Sequence, residues 1–349
     1  LMTMLFPKTR DEWLKLRHAH TSSTESPALF GLSPYMTAYE LGVMKQRPEP
    51  DPEFEANERM RWGIRLQHAI AKGIGEEYGI KVRSLSGYAT HSFGHVRMGA
   101  SFDYEVIGVA THDDGNKVEV KDTLLQDLYE QHGSGILEIK NVDGLIFRNE
   151  WKTDEGVEPP AHIEVQVQHQ LACCAKQWAA IGVLVGGNDL HLLTRLRDND
   201  VIKAIENRSE QFWRDLAAGI LPPVTLPADA DIISKVYRVA EPGKLIDAQP
   251  GAADEGRGET LTALFREYKA AAAAEKAATE AKDTAKAKVL LEIQNAERVL
   301  LPGGHTISAT TVAECEIPAY TRKSYRLLRF TESKPKAAKK PKSDTAVEA

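Results

Sequence analysis

The chain has 349 residues, 42% of them hydrophobic and 27% charged, proportions that exclude disorder through most of its length and point to a core of about 200 residues with an appended region. Its formal net charge of −6 neither demands nor excludes a nucleic-acid partner, because a basic groove would be local. Cys173, Cys174 and Cys315 form no CxxC pair and no even framework, which suits a reducing compartment, and no apolar run reaches the ~18 residues of a membrane span, so a cytoplasmic protein without membrane attachment is expected.

In chain order, Asp11 is placed to cap a first helix carrying Trp13, Leu14, Leu16 and Arg17. Ser23 or Thr24 caps a second that ends at Gly31, and a third follows Thr37. After the Pro-rich stretch from Arg47 to Pro52, the run Phe54 to Tyr78 has helical spacing and stops at Gly79. From Val82 the pattern changes: Val96, Met98, Ala100, Phe102, Tyr104 and Val106 fall on alternate positions, predicting a strand with Asp103 on its opposite face. A polar segment, Asp113 to Ser134, precedes a short strand Ile136 to Lys140. Pro159 and Pro160 open a helix running through Trp178. Ile181 to Val185 and Leu190 to Leu196 read as a hairpin about Gly186-Gly187, followed by a helix from Asp200 to Leu216.

Helices and strands in this order predict an α/β core, a mixed sheet flanked by helices, over residues 1–220. Pro222, Pro223 and Pro227 open a linker, 221–257. Residues 258–330 form a C-terminal helical and β region: Leu261 to Leu301 is a long helix or helical hairpin rich in Ala, Glu and Lys, and Thr306 to Phe330 is β-like. Residues 331–349 are a Lys/Pro tail expected to be disordered.

The sharpest chemical feature is Ser101-Phe102-Asp103 on one strand and Glu138-Ile139-Lys140 on another. Alternate side chains of a strand share a face, so Glu138 and Lys140 point one way and Ile139 into the core. Two carboxylates from neighbouring strands suit Mg²⁺, which prefers hard oxygen ligands, with the Ile139 backbone carbonyl as a further ligand. Such an ion can generate a hydroxide and stabilise charge on a phosphate, and Lys140 would add a positive donor beside the reacting oxygen. A D…ExK pattern alone is weak, since strand-end Glu and Lys are usually solvated.

Other motifs follow in order: Arg17, Ser23-Thr24-Glu25, Phe30-Gly31-Leu32-Ser33-Pro34-Tyr35, Glu40-Leu41, Trp62-Gly63, Gln67-His68-Ala69, Met98-Gly99-Ala100 before Asp103, and Gln166-Val167-Gln168 after Lys140. From Trp13 to Leu216 this string resembles the YqaJ-type viral recombinase family, which includes phage lambda exonuclease and belongs to the PD-(D/E)xK nucleases. The resemblance implies a restriction-endonuclease-like core in which Asp103 and Glu138 bind metal, Lys140 assists catalysis and Gln166 lies near the reacting phosphate. It also implies that Arg17 and Thr24 bind a DNA-end phosphate, with Gln168 as a further DNA contact. Gln67 departs from the pattern, because the family usually has there a Glu that helps hold a second metal; Gln67 or the adjacent His68 is left as the alternative ligand.

The activity so implied is a Mg²⁺-dependent DNA exonuclease, with Mn²⁺ as a substitute ion, digesting linear duplex from 5′ to 3′ by phosphodiester hydrolysis. No GxxxxGK[ST] loop is present, so it would run without ATP. Its setting would be phage-type homologous recombination in a bacterial host cell, as a homo-oligomer such as a trimeric ring, passing a 3′ strand to a single-strand annealing protein. The rivals are a structure-specific or single-strand DNA endonuclease using the same site, and a catalytically weak DNA-binding scaffold, to which Gln67 points.

Overall fold

The computed structural model describes residues 2–50, 58–109 and 123–312. The chain divides into two units, Leu1–Ile233 and Ser234–Ala349.

The first unit opens with β1 (Met2–Leu5) and α1 (Arg10–Ala19). Thr9 rather than Asp11 caps α1, accepting from the Glu12 N–H, while Asp11 and Glu12 occupy the first turn, where the helix dipole favours acids. After β2 (Thr21–Ser22), the second predicted helix is only a 3₁₀ turn, Ser26–Phe30, ending at Gly31. Neither Ser23 nor Thr24 caps it: Glu25 precedes the turn, with no side-chain bond to it. Thr37 does cap α2 (Ala38–Gln46). Helix α3 (Glu58–Tyr78) stops at Gly79, whose φ of +64° favours glycine; the predicted start of this helix lies outside the described residues.

Four strands follow, β3 (Ile80–Ser84), β4 (Tyr88–Phe93), β5 (Val96–Ser101) and β6 (Tyr104–Val109). The polar segment holds α4 (Thr123–His132), and β7 (Gly135–Val142) comes next. A short turn α5 (Gly144–Ile146) and a small hairpin, β8 (Lys152–Thr153) with β9 (Gly156–Val157), lead to α6 (Ala161–Cys174). α6 ends four residues before Trp178, because Ala175 turns left-handed at φ 55° and the chain enters β10 (Trp178–Val185). β10 forms the predicted hairpin with β11 (Asp189–Leu196), and Asp198 caps α7 (Asn199–Ala217).

The main sheet has the order β11-β10-β7-β6-β3, with β7 and β10 parallel and the other neighbours antiparallel. A second sheet has the order β1-β4-β5-β2. The alternation read as one strand from Val96 to Val106 is therefore two strands in two sheets, broken at Phe102-Asp103. Val96, Met98 and Ala100 pack with α6 in one core, and Val106 packs with α3 and α4 in another. The pattern survives the break because both halves bury one face.

β7 separates these two cores. Ile136 joins the α6 side, and Leu137 and Ile139 join the α3 side with Ile70, Ile74 and Leu125. Helix α3 presses so close to β10 that a Cβ at Gly182 would fall 2.2 Å from Ile74. The mixed α/β sheet flanked by helices is as expected.

The first unit continues beyond residue 220. Helix α8 (Ala230–Val236) sets Ile232 against Tyr39 and Val43, and Asp229 accepts from the Thr37 hydroxyl. In the second unit, Gly258–Ile293 is one continuous helix, α9, with no buried residue, followed by a hairpin of β12 (Arg298–Leu300) and β13 (Thr306–Ser308). The rest of the predicted β-like piece and the Lys/Pro tail lie outside the described residues.

Candidate active site at the sheet fork

Helix α6 buries nearly every side chain from Ile163 to Cys173, including the polar Gln166, Gln168, His169 and Gln170. Buried amides need partners, and two of these four find theirs on Glu138. Glu138 lies on the face of β7 shared with Ile136. Its Oε1 accepts from Lys140 Nζ and from Gln166 Nε2, both at 2.6 Å, and its Oε2 accepts from Gln170 Nε2 at 2.7 Å. Lys140 Nζ also donates to Gln166 Oε1 at 3.1 Å.

Asp103 stands where β5 and β6 part. The ladder pairing Tyr104 with Leu137 would next set residue 102 opposite Ile139, but the chain has left the sheet there. Asp103 Oδ2 takes the orphaned Ile139 N–H at 2.8 Å, and Oδ1 accepts from Gln67 Nε2 of α3 at 2.7 Å. The Ile139 carbonyl leaves β7 on the same edge as its N–H. Burial, and then the charge of Glu138, push the Asp103 carboxyl up to about 7, against the opposing pull of Ile139 N–H, Lys140 and Gln67. His68 turns away, its Nδ1 3.4 Å from the Tyr104 hydroxyl, so Gln67 is the residue that reaches Asp103.

The N-terminal segment closes the other side. Trp13 Nε1 donates to Ser101 Oγ at 2.8 Å, and the Arg17 guanidinium lies 4.8 Å over the Trp13 ring. Arg17 donates to Ser22 Oγ at 3.0 Å and Thr24 Oγ1 at 3.2 Å. Beneath it is a buried ion pair, Lys45 to Glu25 at 2.8 Å, in which Lys45 also donates to the carbonyls of Arg17 and His20 at the end of α1. Burial opposes ionisation of Glu25, yet Lys45, Arg17 and the Ser22 N–H hold its carboxyl below the usual range; burial lowers Lys45 despite Glu25.

These groups surround one cavity of about 120 Å³, lined by Trp13, Arg17, Ser22, Ser23, Thr24 and Tyr88 on one side and Asp103, Glu138, Gln166 and Gln170 on the other. A second cavity of about 420 Å³ shares Trp13, Ser101 and Asp103 with it and extends to Phe6, Gln67 and Tyr104. A Cβ on Gly99 would meet the Tyr88 hydroxyl at 2.2 Å, so only glycine lets that ring lie across β5 and form the cavity wall.

A divalent cation fits this donor set. The buried Glu138 and the half-buried Asp103 repel each other here with the Lys140 ammonium bonded to Glu138, and Gln170 Oε1 and the Tyr88 hydroxyl, from two residues of the cavity wall, are buried with no hydrogen-bond partner. Among the described residues no group of three or more His, Cys, Asp or Glu is placed to hold a metal ion. The hard ligands on offer are therefore Asp103, Glu138, the Ile139 carbonyl and an amide oxygen, with water completing the shell as Mg²⁺ prefers.

The geometry thus brings together Arg17, Thr24, Gln67, Asp103, Glu138, Lys140 and Gln166. Gln168, expected at DNA, is instead 2% exposed and clamps the fold, donating to the Leu196 carbonyl and accepting from the Asp198 N–H. It is two positions from Gln166, on a different side of α6. Gln170 was missed as a site residue, although its i+4 spacing from Gln166 placed it on that face. Trp13, Ser22, Tyr88 and the Glu25–Lys45 pair carried no such signal, because long-range packing positions them.

Residues 12–177 match the family model described as a YqaJ-like viral recombinase domain. The uncharacterized protein YqaJ of Bacillus subtilis (strain 168) is 26% identical over 243 residues, covering 68% of this chain and 67% of that protein. Among solved structures, the alkaline exonuclease LHK-Exo from Laribacter hongkongensis, in complex with dAMP, is similar at 18% identity, with 60% of this chain and 93% of that chain covered and a TM-score of 0.43. A phage-related exonuclease from Haemophilus somnus 129PT is similar at 14% identity, with 61% and 90% covered and a TM-score of 0.33. The arrangement of Asp103, Glu138 and Lys140 therefore stands inside the segment, residues 12–177, that is similar to a YqaJ-like viral recombinase domain.

Proposed function

We propose that the chain is a Mg²⁺-dependent, ATP-independent DNA exonuclease that digests one strand of linear duplex from its 5′ end. The observation that carries this reading is the pairing of the buried Glu138 carboxylate with the half-buried Asp103, with Lys140 hydrogen-bonded to Glu138 at 2.6 Å, beside a cavity that also holds Arg17. The similarity to a YqaJ-like viral recombinase domain supports the same class of reaction.

Asp103, Glu138 and the Ile139 carbonyl would hold Mg²⁺, or Mn²⁺ in its place; when bound, the ion supplies a more acidic water and charge neutralisation at the phosphate. Lys140 would place its ammonium against the attacked phosphate oxygen, where a fixed donor costs no reorganisation. Gln166 and Gln170 fix the Glu138 carboxylate from both oxygens, so that its orientation is set before substrate arrives. Arg17, with Ser22 and Thr24, would bind the phosphate of the DNA end and so place the next linkage over the carboxylates. A single ion is the simplest occupancy with Gln67 in place of a third carboxylate. The setting that fits is phage-type recombination in a bacterial cytoplasm, with a homo-oligomeric ring and a single-strand annealing partner.

Linear duplex labelled at either 5′ or 3′ end, with Mg²⁺ or EDTA, tests this, using closed circular DNA and Glu138→Ala as controls. Loss of the 5′ label from linear DNA, with circles intact and the variant inactive, is expected. Cleavage of circles would replace the reading with an endonuclease, and binding without cleavage would replace it with a scaffold.

A further inference from the structure

The function proposed above leaves α9 unused. This helix of 36 residues has no buried position, although Leu264, Tyr268 and Val289 stand on it with 55%, 55% and 43% of their surface exposed. With Leu264, Tyr268 and Val289 exposed, the helix gains little from these side chains by packing on itself. Its charges show what would cover it.

Leu264, Tyr268, Ala271, Glu275, Ala278, Lys282, Ala285, Val289 and Ile293 follow one another at three or four positions, which puts them on one stripe of an α-helix. The stripe is apolar at both ends and small in the middle, apart from one acid and one base. Turned end over end about a point between Ala278 and Thr279, its large and its charged positions exchange: Leu264 with Ile293, Tyr268 with Val289, and Glu275 with Lys282. In that register two copies set large apolar residues against each other at both ends. The two charges that a single-sided apolar stripe would not need then form reciprocal Glu275–Lys282 pairs. A parallel pairing would instead oppose Glu275 with Glu275 and Lys282 with Lys282, which is repulsive.

We propose that α9 is a homodimerisation helix, pairing antiparallel with α9 of a second copy of this chain about a two-fold axis near Ala278. Small side chains at the centre let two helices approach closely there, and a two-fold contact of this kind is self-complementary. The same axis could join two nuclease units or two rings, so the contact is independent of how the first unit assembles.

The full-length protein tests this in two ways. A cysteine at Ala278 lies beside its symmetry mate and should form an interchain disulfide under mild oxidation. One at Ala271 faces residue 286 of the partner and lies about 22 Å from its own mate at 1.5 Å per residue, and should form none. Second, Glu275→Lys and Lys282→Glu should each weaken self-association about tenfold or more. Mixing the two variants should restore it, because both pairs become complementary in the heterodimer. Cross-linking at Ala271 as readily as at Ala278, cross-linking at neither, or no recovery on mixing would overturn the pairing.

Discussion

Asp103 accepts the backbone N–H of Ile139 at 2.8 Å, so a side-chain carboxylate stands in for the missing strand partner at the point where the sheet forks. This contact explains why an acid is held in a place where burial and Glu138 both oppose its charge. The fold itself needs a hydrogen-bond acceptor there, and an ionised one is unfavourable until a cation arrives. Asp103→Asn should separate these demands: its amide oxygen can accept from Ile139, and Gln67 can turn its own amide to accept from the new NH₂. The folded-state carboxyl is raised from 3.8 to about 7, so its ionisation costs stability that is absent below pH 4, grows as pH rises from 4 to 7 and is complete above that. In EDTA at pH 8 the variant should therefore melt a few degrees higher than the wild type, with the gap closing towards pH 4. It should also lose the stabilisation by Mg²⁺ and the nuclease activity. Thermal melts with and without metal at both pH values check this; a lower melting temperature for the variant at pH 8 would refute it.

Lys140 is only partly buried and its partner Glu138 retains two glutamine donors when the ammonium is removed. Lys140→Ala should then cost far more in rate than in stability. A loss of about 10²-fold or more in kcat is expected from removing one preorganised donor to the phosphate, with a change in melting temperature of a few degrees. Single-turnover rates on linear duplex measure the first, and calorimetry the second.

Gln67 stands where the resemblance implies a Glu, and it contacts Asp103 directly. Gln67→Glu would exchange that donor for a third carboxylate, adding repulsion in the metal-free protein and a hard ligand in the loaded one. The variant should be less stable in EDTA and bind Mg²⁺ or Mn²⁺ more tightly or in greater number. Isothermal titration with Mn²⁺ would show it, and an unchanged stoichiometry together with unchanged affinity would count against a role for position 67 at the metal.

The legible parts of the site were those that repeat with local periodicity. Glu138, Ile139 and Lys140 declare their faces through strand alternation, and Gln166 through its helix. The fork at Phe102-Asp103 was not legible, because alternation continues across it while the chain changes sheets. Nor was the fate of Gln168: a buried amide bonded to two backbone groups of a neighbouring turn has the same local sequence signature as one that faces a ligand. Asp11 lost the α1 cap to Thr9 because both lie within two residues of the helix start, and local sequence does not rank them. In the C-terminal unit, the choice between one helix and a hairpin turned on the absence of any Gly or Pro from Glu259 to Ile293, and the chain stays helical throughout.

The Glu25–Lys45 pair offers a last test, because it joins the fold to the cavity. Lys45 ties together the end of α1 and the turn bearing Ser22 and Thr24, the two segments that aim Arg17. Lys45→Met would leave Glu25 buried with only Arg17, at 3.6 Å, as a cation, and should destabilise the protein by about 3–5 kcal/mol. In the wild type the depressed Glu25 pKa contributes stability above its ordinary 4.5 and loses it as pH falls. In the variant burial would raise that pKa, so the deficit should be greatest near neutral pH and shrink on acidification. Adding Glu25→Gln should recover part of the loss by removing the stranded charge. A purely structural pair would stop there. If the pair also positions Arg17, the double variant should cut 5′-phosphoryl ends more slowly while its rate on 5′-hydroxyl ends is little changed. Equal slowing on both ends would confine Glu25 and Lys45 to the fold.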